Sequence, residues 1–202
     1  ELVSGNYFDV LGVKAAAGRL LRAEDDVNLD AHPVAVLSYN AWRERFGADS
    51  GIVGRTIHIN NRAFTVVGVS QRGFDGLDVG SAPAIRVPIA MKRTMTPTWD
   101  AMTEREVHWV QIFARVKPGV SAEQARASLQ VLRRTIAEDE VKGEWWSNAP
   151  AEARQFYVKQ NIELLPASKG QSFLRRQYEV PLQVLLAIVA LVLLIACANV
   201  AN

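Results

Sequence analysis

The chain has 202 residues, 49% of them hydrophobic and 22% charged, and its 23 Lys and Arg against 21 Asp and Glu leave a formal net charge of +2. That composition is globular and excludes a disordered chain, while a near-neutral balance without a long basic run excludes a phosphate-tracking nucleic-acid surface. Cys197, the single cysteine, excludes an intrachain disulfide and a thiol-pair metal site.

The first 13 residues (ELVSGNYFDVLGV) begin without an initiator methionine, as if cut from the middle of a protein. Asn6, Tyr7 and Phe8 lead into a short helical turn that Gly12 ends, and Leu20 and Leu21 are expected to dock on the core. Glu24, Asp25 and Asp26 then form an acidic corner. Asp26, Asn28 and Asp30 stand at the spacing of the first three ligands of a calcium loop. Ala31, however, replaces the sharp-turn glycine and Leu37 the bidentate glutamate, so the segment reads as a solvated loop.

Residues 33–38 (PVAVLS) form a short apolar run typical of a buried strand. In residues 39–46 (YNAWRERF), Trp42 and Phe46 lie four apart on one helical face, and Gly47 is a suitable stop. Residues 54–69 read as a hairpin around Asn60 and Asn61, with Ile57 and Ile59 facing one way and Phe64, Val66 and Gly68 continuing the alternation. His58 falls on its polar face.

The glycine-rich segment 70–84 matches neither a dinucleotide fingerprint nor a P-loop, and reads as an ordered surface loop with Phe74 and Leu77 tucked down. Residues 85–89 (IRVPI) are expected as an edge strand because Pro88 cannot donate to a ladder, and residues 91–105 as irregular and polar. Residues 107–117 (VHWVQIFARVK) alternate like a strand. Ser121 and Gln124 then form a capping box for a helix whose Ala125, Leu129, Leu132 and Ile136 make an apolar stripe. Residues 162–165 (IELL) read as the returning strand of a β-α-β unit, with a second short helix in 144–159 between them.

Residues 184–198 (VLLAIVALVLLIACA) are unbroken apolar sequence, and a span needs about 20 such residues to cross ~30 Å of hydrocarbon. Leucine and isoleucine on every face leave no polar side, which favours a membrane helix over a buried core helix. The span is expected from Pro181, seated in the first turn, to residue 202 and beyond, after a polar connector at 169–180 in which Tyr178 suits the headgroup level. Lys169, Arg175 and Arg176 precede it, a positive-inside signal for a cytoplasmic domain. His32, His58 and His108 are scattered without a nucleophile elbow, a metal-spaced partner or a carboxylate pair. No catalytic, cofactor-binding or metal residue is therefore nominated, no cofactor is expected, and the chain reads as a non-enzyme.

Taken together, SGNYFDVLGVKAAAGR, PVAVLSYNAWRERFG, IVGRTIHINNRAFTVVGV, ARVKPGVSAEQARASL and LLIACANVAN resemble, in collinear order, the MacB-like periplasmic core domain of FtsX/MacB-type ABC-transporter permeases. The loop QRGFDGLDVGSAPAIRVPIAM is most similar to the acidobacterial duplicated permease subgroup. The resemblance implies an α+β fold: a mostly β part at 1–106, truncated at its start, a porter-like βαβ part at 107–168, the connector, and the start of a transmembrane helix at 181–202. It implies a domain on the periplasmic side of the inner membrane, against the local arginine signal. It also implies an ATPase subunit or domain elsewhere, a periplasmic adaptor and a dimer of permease units as partners, with no nucleic acid, and a role in coupling ATP-driven motion to export. The alternative is a membrane-anchored extracytoplasmic binding or sensor domain unconnected with transport.

Overall fold

Short β-branched runs and one tight turn set the frame. In the computed structural model, which describes residues 1–105, 107–168 and 170–201, with side chains left out at 173–176, 200 and 201, six strands form one mixed sheet. Its order is β1 (Leu2–Val3), β6 (Ile85–Pro88), β3 (Val34–Leu37), β5 (Arg62–Ser70), β2 (Ala15–Gly18), with β4 (Thr56–Ile59) also on β5. Thr65 of β5 opposes both Val34 and Thr56, and Val69 opposes both Leu37 and Ala17. β4 and β2 therefore lie end to end along the edge of β5 opposite to β3.

The hairpin turns where the sequence places it. Asn60 and Asn61 take φ of 50° and 60°, the left-handed pair that a two-residue I′ turn requires. The expected alternation holds only as far as Val66. An irregularity in the β3–β5 register passes over Val67, so Val69 rather than Gly68 turns inward beside Val66, Leu37 and Ile52. Gly68 instead lies where two backbones nearly touch: a Cβ there would run into the carbonyl oxygens of Arg19 and Ala17.

Two helices cover this sheet. α1 (Tyr7–Leu11) ends at Gly12, φ 71°, and buries Phe8 completely among Val3, Leu21 and Val36. α2 (Tyr39–Phe46) starts at Ser38, whose hydroxyl accepts from the Ala41 amide at 3.1 Å, and stops at Gly47, φ 62°. Its Tyr39, Trp42 and Phe46 pack against the Leu37, Ile52, Val66 and Val69 cluster.

Three elements differ from expectation. β6 lies inside the sheet, between β1 and β3, because Pro88 is its last residue and the missing amide falls where the ladder ends. The expected polar stretch after it buries Met91 and Lys92 and forms a helical turn, α3 (Lys92–Met95). Residues 107–117 and 162–165 form no ladder among the described residues, whereas the helix between them is present as α4 (Ala122–Glu140). Alternation shows that a segment suits a sheet, but a strand exists only with a partner at about 4.8 Å. The Ser121 and Gln124 side chains cap α4 reciprocally, and α5 (Ala151–Lys159) packs on it. Its stripe stays open: Leu129, Leu132 and Ile136 are 39%, 55% and 43% exposed.

The last helix, α6 (Phe173–Ala201), starts eight residues before Pro181 and encloses it. Good helix formers at 174–179 carry the helix upstream, so the proline interrupts an interior turn instead of opening the first. Within Gln177–Asn199 the most apolar 18-residue window has a mean hydropathy of 2.9, and none of it is buried. The chain divides into two compact units, Glu1–Asp75 with Pro83–Pro166, and Gly76–Ala82 with Ala167–Asn202.

Gly68→Val is expected to lower the chemical-denaturation midpoint by an amount worth over about 2 kcal/mol, since the added atoms meet backbone that cannot move. Gly47→Ala, which adds a methyl group into open space at φ 62°, is expected to cost only about 1 kcal/mol.

Candidate functional site

The acidic corner is a fastening rather than a solvated loop. A 3₁₀ turn at Ala23–Asp26 aims Asp25 and Asp26 inward and leaves Glu24 exposed. Asp25 accepts from both terminal nitrogens of Arg19, at 2.6 and 2.8 Å, and from the Arg22 amide at 2.9 Å. Asp26 spreads across the chain: one oxygen accepts from the Gly5 amide at 3.0 Å, the other from the Ala90 amide at 2.8 Å. Asp30 accepts from the Thr94 hydroxyl at 2.6 Å and the Thr94 amide at 3.2 Å. Every contact is to a donor of the protein itself. Burial works against the charged form of Asp25, but the Arg19 guanidinium, the Arg22 amide and nearby His32 outweigh it and hold its pKa below the ordinary carboxylate range.

Two buried cations extend this frame. Arg86, fully buried in β6, donates to Glu1 Oε2 at 2.7 Å and to the Asp75 carbonyl at 2.9 Å, with the Phe74 ring 4.9 Å and the Tyr7 ring 5.9 Å from its guanidinium carbon. Phe74 is thus tucked down as the sequence predicts, against both Tyr7 and Phe8. Lys92 sits between Trp99 and Trp109, its ammonium 4.1 and 5.0 Å from their ring centres, and donates to the Thr96 hydroxyl and the Trp99 carbonyl. The indole faces attract the ammonium through their ring quadrupoles. It pins the chain at 96–109, which leads towards α4, onto α3.

The second unit holds the membrane-type helix. Just before α6, Gln171 donates its amide to the Leu77 carbonyl and accepts from the Val79 amide, both at 2.7 Å, forming a bridge opposite Asp78. Gly170 makes the approach feasible at φ 68°, where a Cβ would lie 2.8 Å from the Leu77 oxygen. The loop 76–82 is covalently continuous with β5 on one side and β6 on the other. Two polypeptide routes therefore meet at the foot of α6, one through this loop and one from α5.

The histidines give nothing to assemble a reaction from. His58 is exposed on β4, His108 is exposed beyond Lys92, and His32 neighbours Asp25. No cluster of three metal-type side chains occurs among the described residues. Sequence reasoning nominated no site residue and so passed over Asp26, Arg86 and Lys92. An arginine inside an apolar strand and a lysine followed by two tryptophans were the available signals.

A sheet domain on one chain with an exposed apolar helix long enough to cross a membrane defines a class of architecture. Comparison narrows this class: residues 1–132 match the family of the MacB-like periplasmic core domain, and the chain belongs to it. The macrolide export ATP-binding/permease protein MacB of Neisseria gonorrhoeae is 41% identical over 70 residues, 35% of this chain and 10% of that protein. The protein of the same description from Campylobacter jejuni is 35% identical over 77 residues, 37% of this chain and 12% of that protein. The chain spans about a tenth of the length of these relatives. Among solved structures, the periplasmic region of MacB from Actinobacillus actinomycetemcomitans is similar at 24% identity and a TM-score of 0.44, over 66% of this chain and 54% of that one. A domain of a permease protein from Porphyromonas gingivalis matches at 18% identity and a TM-score of 0.43, over 79% and 71%.

The lowered pKa of Asp25 fixes a sign. A carboxyl depressed in the folded state contributes stability above its unfolded pKa of ~3.9, and that contribution is lost as pH falls through the folded value. Asp25→Asn is expected to cost about 2 kcal/mol at pH 7, because Arg19 is left without its partner, and to flatten the acid limb of a stability-against-pH curve below about pH 4.

Proposed function

We propose that this chain is the extracytoplasmic domain and an attached membrane helix of an ABC-transporter-type permease. One observation carries the reading: the family match over 1–132 continues on the same chain into α6, whose apolar window is wholly exposed. Side chains that apolar on every face need hydrocarbon around them. In this reading the domain stands in the periplasm and the helix in the inner membrane. ATP is hydrolysed by another domain or subunit, and the motion reaches the sheet domain through α6 and the connector before it.

The mostly β part (1–106) supplies a stiff body, and the part at 107–168 presents surface to a periplasmic adaptor or a second permease unit. The exposed stripe of α4 and the isolated segments 107–117 and 162–165 support an interacting role for that part. Export is the transport direction named for the MacB relatives, and the same direction is proposed here.

Ser81 is exposed in the loop that reaches α6. In a cysteine-free full-length protein, a cysteine at position 81 is expected to react with a membrane-impermeant maleimide in intact cells with a permeabilised outer membrane. Reaction only after lysis places the domain in the cytoplasm and overturns the reading. A six-residue glycine-serine insertion after Gly170 is expected to cut transport more than tenfold while the domain stays protease-resistant. Transport that survives it removes the coupling role and leaves a membrane-anchored binding domain.

A further inference from the structure

α4 and α5 run antiparallel, because Glu140 bonds the Tyr157 hydroxyl at 2.6 Å while Gln130, ten residues earlier, bonds the backbone at Gln160 and Ile162. One side of the pair is closed by Tyr157, which stacks on Trp146 with ring centres 4.8 Å apart and carries Arg133 over its face at 5.0 Å. The other side opens into a groove of about 610 Å³. Three cations, Arg134, Arg154 and Lys159, line it with the amides of Gln155 and Asn161 over an apolar patch at Val158, and no carboxylate is in the lining.

Two of the three charges in this groove, Arg154 and Lys159, are unpaired among the described residues. Arg154 Nε is buried and without a hydrogen-bond partner. Neither Arg154 nor Lys159 forms an ion pair among the described residues, and Arg134 uses only its Nε, on Glu138 at 2.9 Å. Other carboxylates of α4 point to partners elsewhere, Asp139 to Arg105 and Glu140 to Tyr157. A buried guanidinium N–H left unmet is costly, and an oxyanion satisfies it with charge-assisted, forked geometry.

The geometry points to an oxyanion site: a small molecule bearing carboxylate or phosphate groups, seated between α4 and α5. Arg154 supplies a donor fork, Arg134 and Lys159 add cationic charge from the lining, and Val141 and Val158 underlie an apolar portion of the ligand. The volume falls within the range of small-molecule clefts, and a lining of cations and amides without a carboxylate favours an anion. The site stands whether or not the domain serves a transporter.

The test is calorimetric titration of the full-length protein in neutral detergent at low salt, with citrate and then inorganic phosphate as probes. Citrate is expected to bind saturably with a Kd below about 1 mM, weakening with added salt as exposed charge pairs do. Arg154→Gln is expected to raise that Kd at least tenfold and Arg154→Lys by a smaller factor, since the charge remains and the fork is lost. Arg126→Gln, on α4 outside the groove, is expected to stay within twofold, with unchanged circular dichroism and thermal midpoint for all three variants. In nanodiscs, loss of citrate binding when phosphatidylglycerol replaces phosphatidylcholine identifies a lipid headgroup as the source of the anion, and unchanged binding identifies a free solute. Absence of saturable binding by either probe overturns the site. So does an Arg126→Gln effect equal to that of Arg154→Gln, which would show diffuse surface charge only.

Discussion

A single carboxylate holds the sheet domain in register with its own ends. Asp26 takes one amide from Gly5, before α1, and another from Ala90, just beyond β6, which ties the two segments together just past the Val3–Pro88 end of the β1–β6 ladder. Both oxygens are committed, so the side chain acts as a two-way staple; an amide side chain presents a donor on one arm and can satisfy only one of the two. Asp25 and Asp30 serve the same turn from either side, through Arg19 and Thr94. The two-residue β1 survives beside β6 because this fastening, together with Arg86, fixes the chain around it.

Much of the domain was legible because its signals are local. The Gly47 stop of α2, the twin asparagines of the hairpin, the Ser121 and Gln124 box and the apolar tail each lie within a few residues of the structure they specify. The misses share a different property. The acidic corner reads as solvated because the donors it meets come from Gly5, Ala90 and Thr94. The place of β6 inside the sheet depends on β1, which is too short to announce itself. Val67 is passed over in the β3–β5 register through a mismatch between two strands, which neither strand shows alone. Lys92 precedes the two tryptophans that receive it, but only the folded chain brings both rings to one ammonium.

The segments 107–117 and 162–165 teach a further point about alternation. Ile112 is 89% exposed, although its neighbours alternate as well as those of β5. Pattern records which face a segment would bury, and a partner decides whether it does. The same holds for the stripe of α4, correct in period and open to solvent. In a family of permease domains, such surfaces are where assembly with other chains is to be sought.

Pro181 is the ninth residue of α6, and its ring withholds the main-chain donor that the Gln177 carbonyl would receive. The lost bond falls where polar sequence gives way to apolar sequence, close to the level at which a span would leave the headgroups. A rod with one softened joint passes displacement along its axis but yields to bending at that joint. In a bilayer, tilting of the apolar section to suit its thickness would be taken up at 177–181, ahead of the bridge at Gln171.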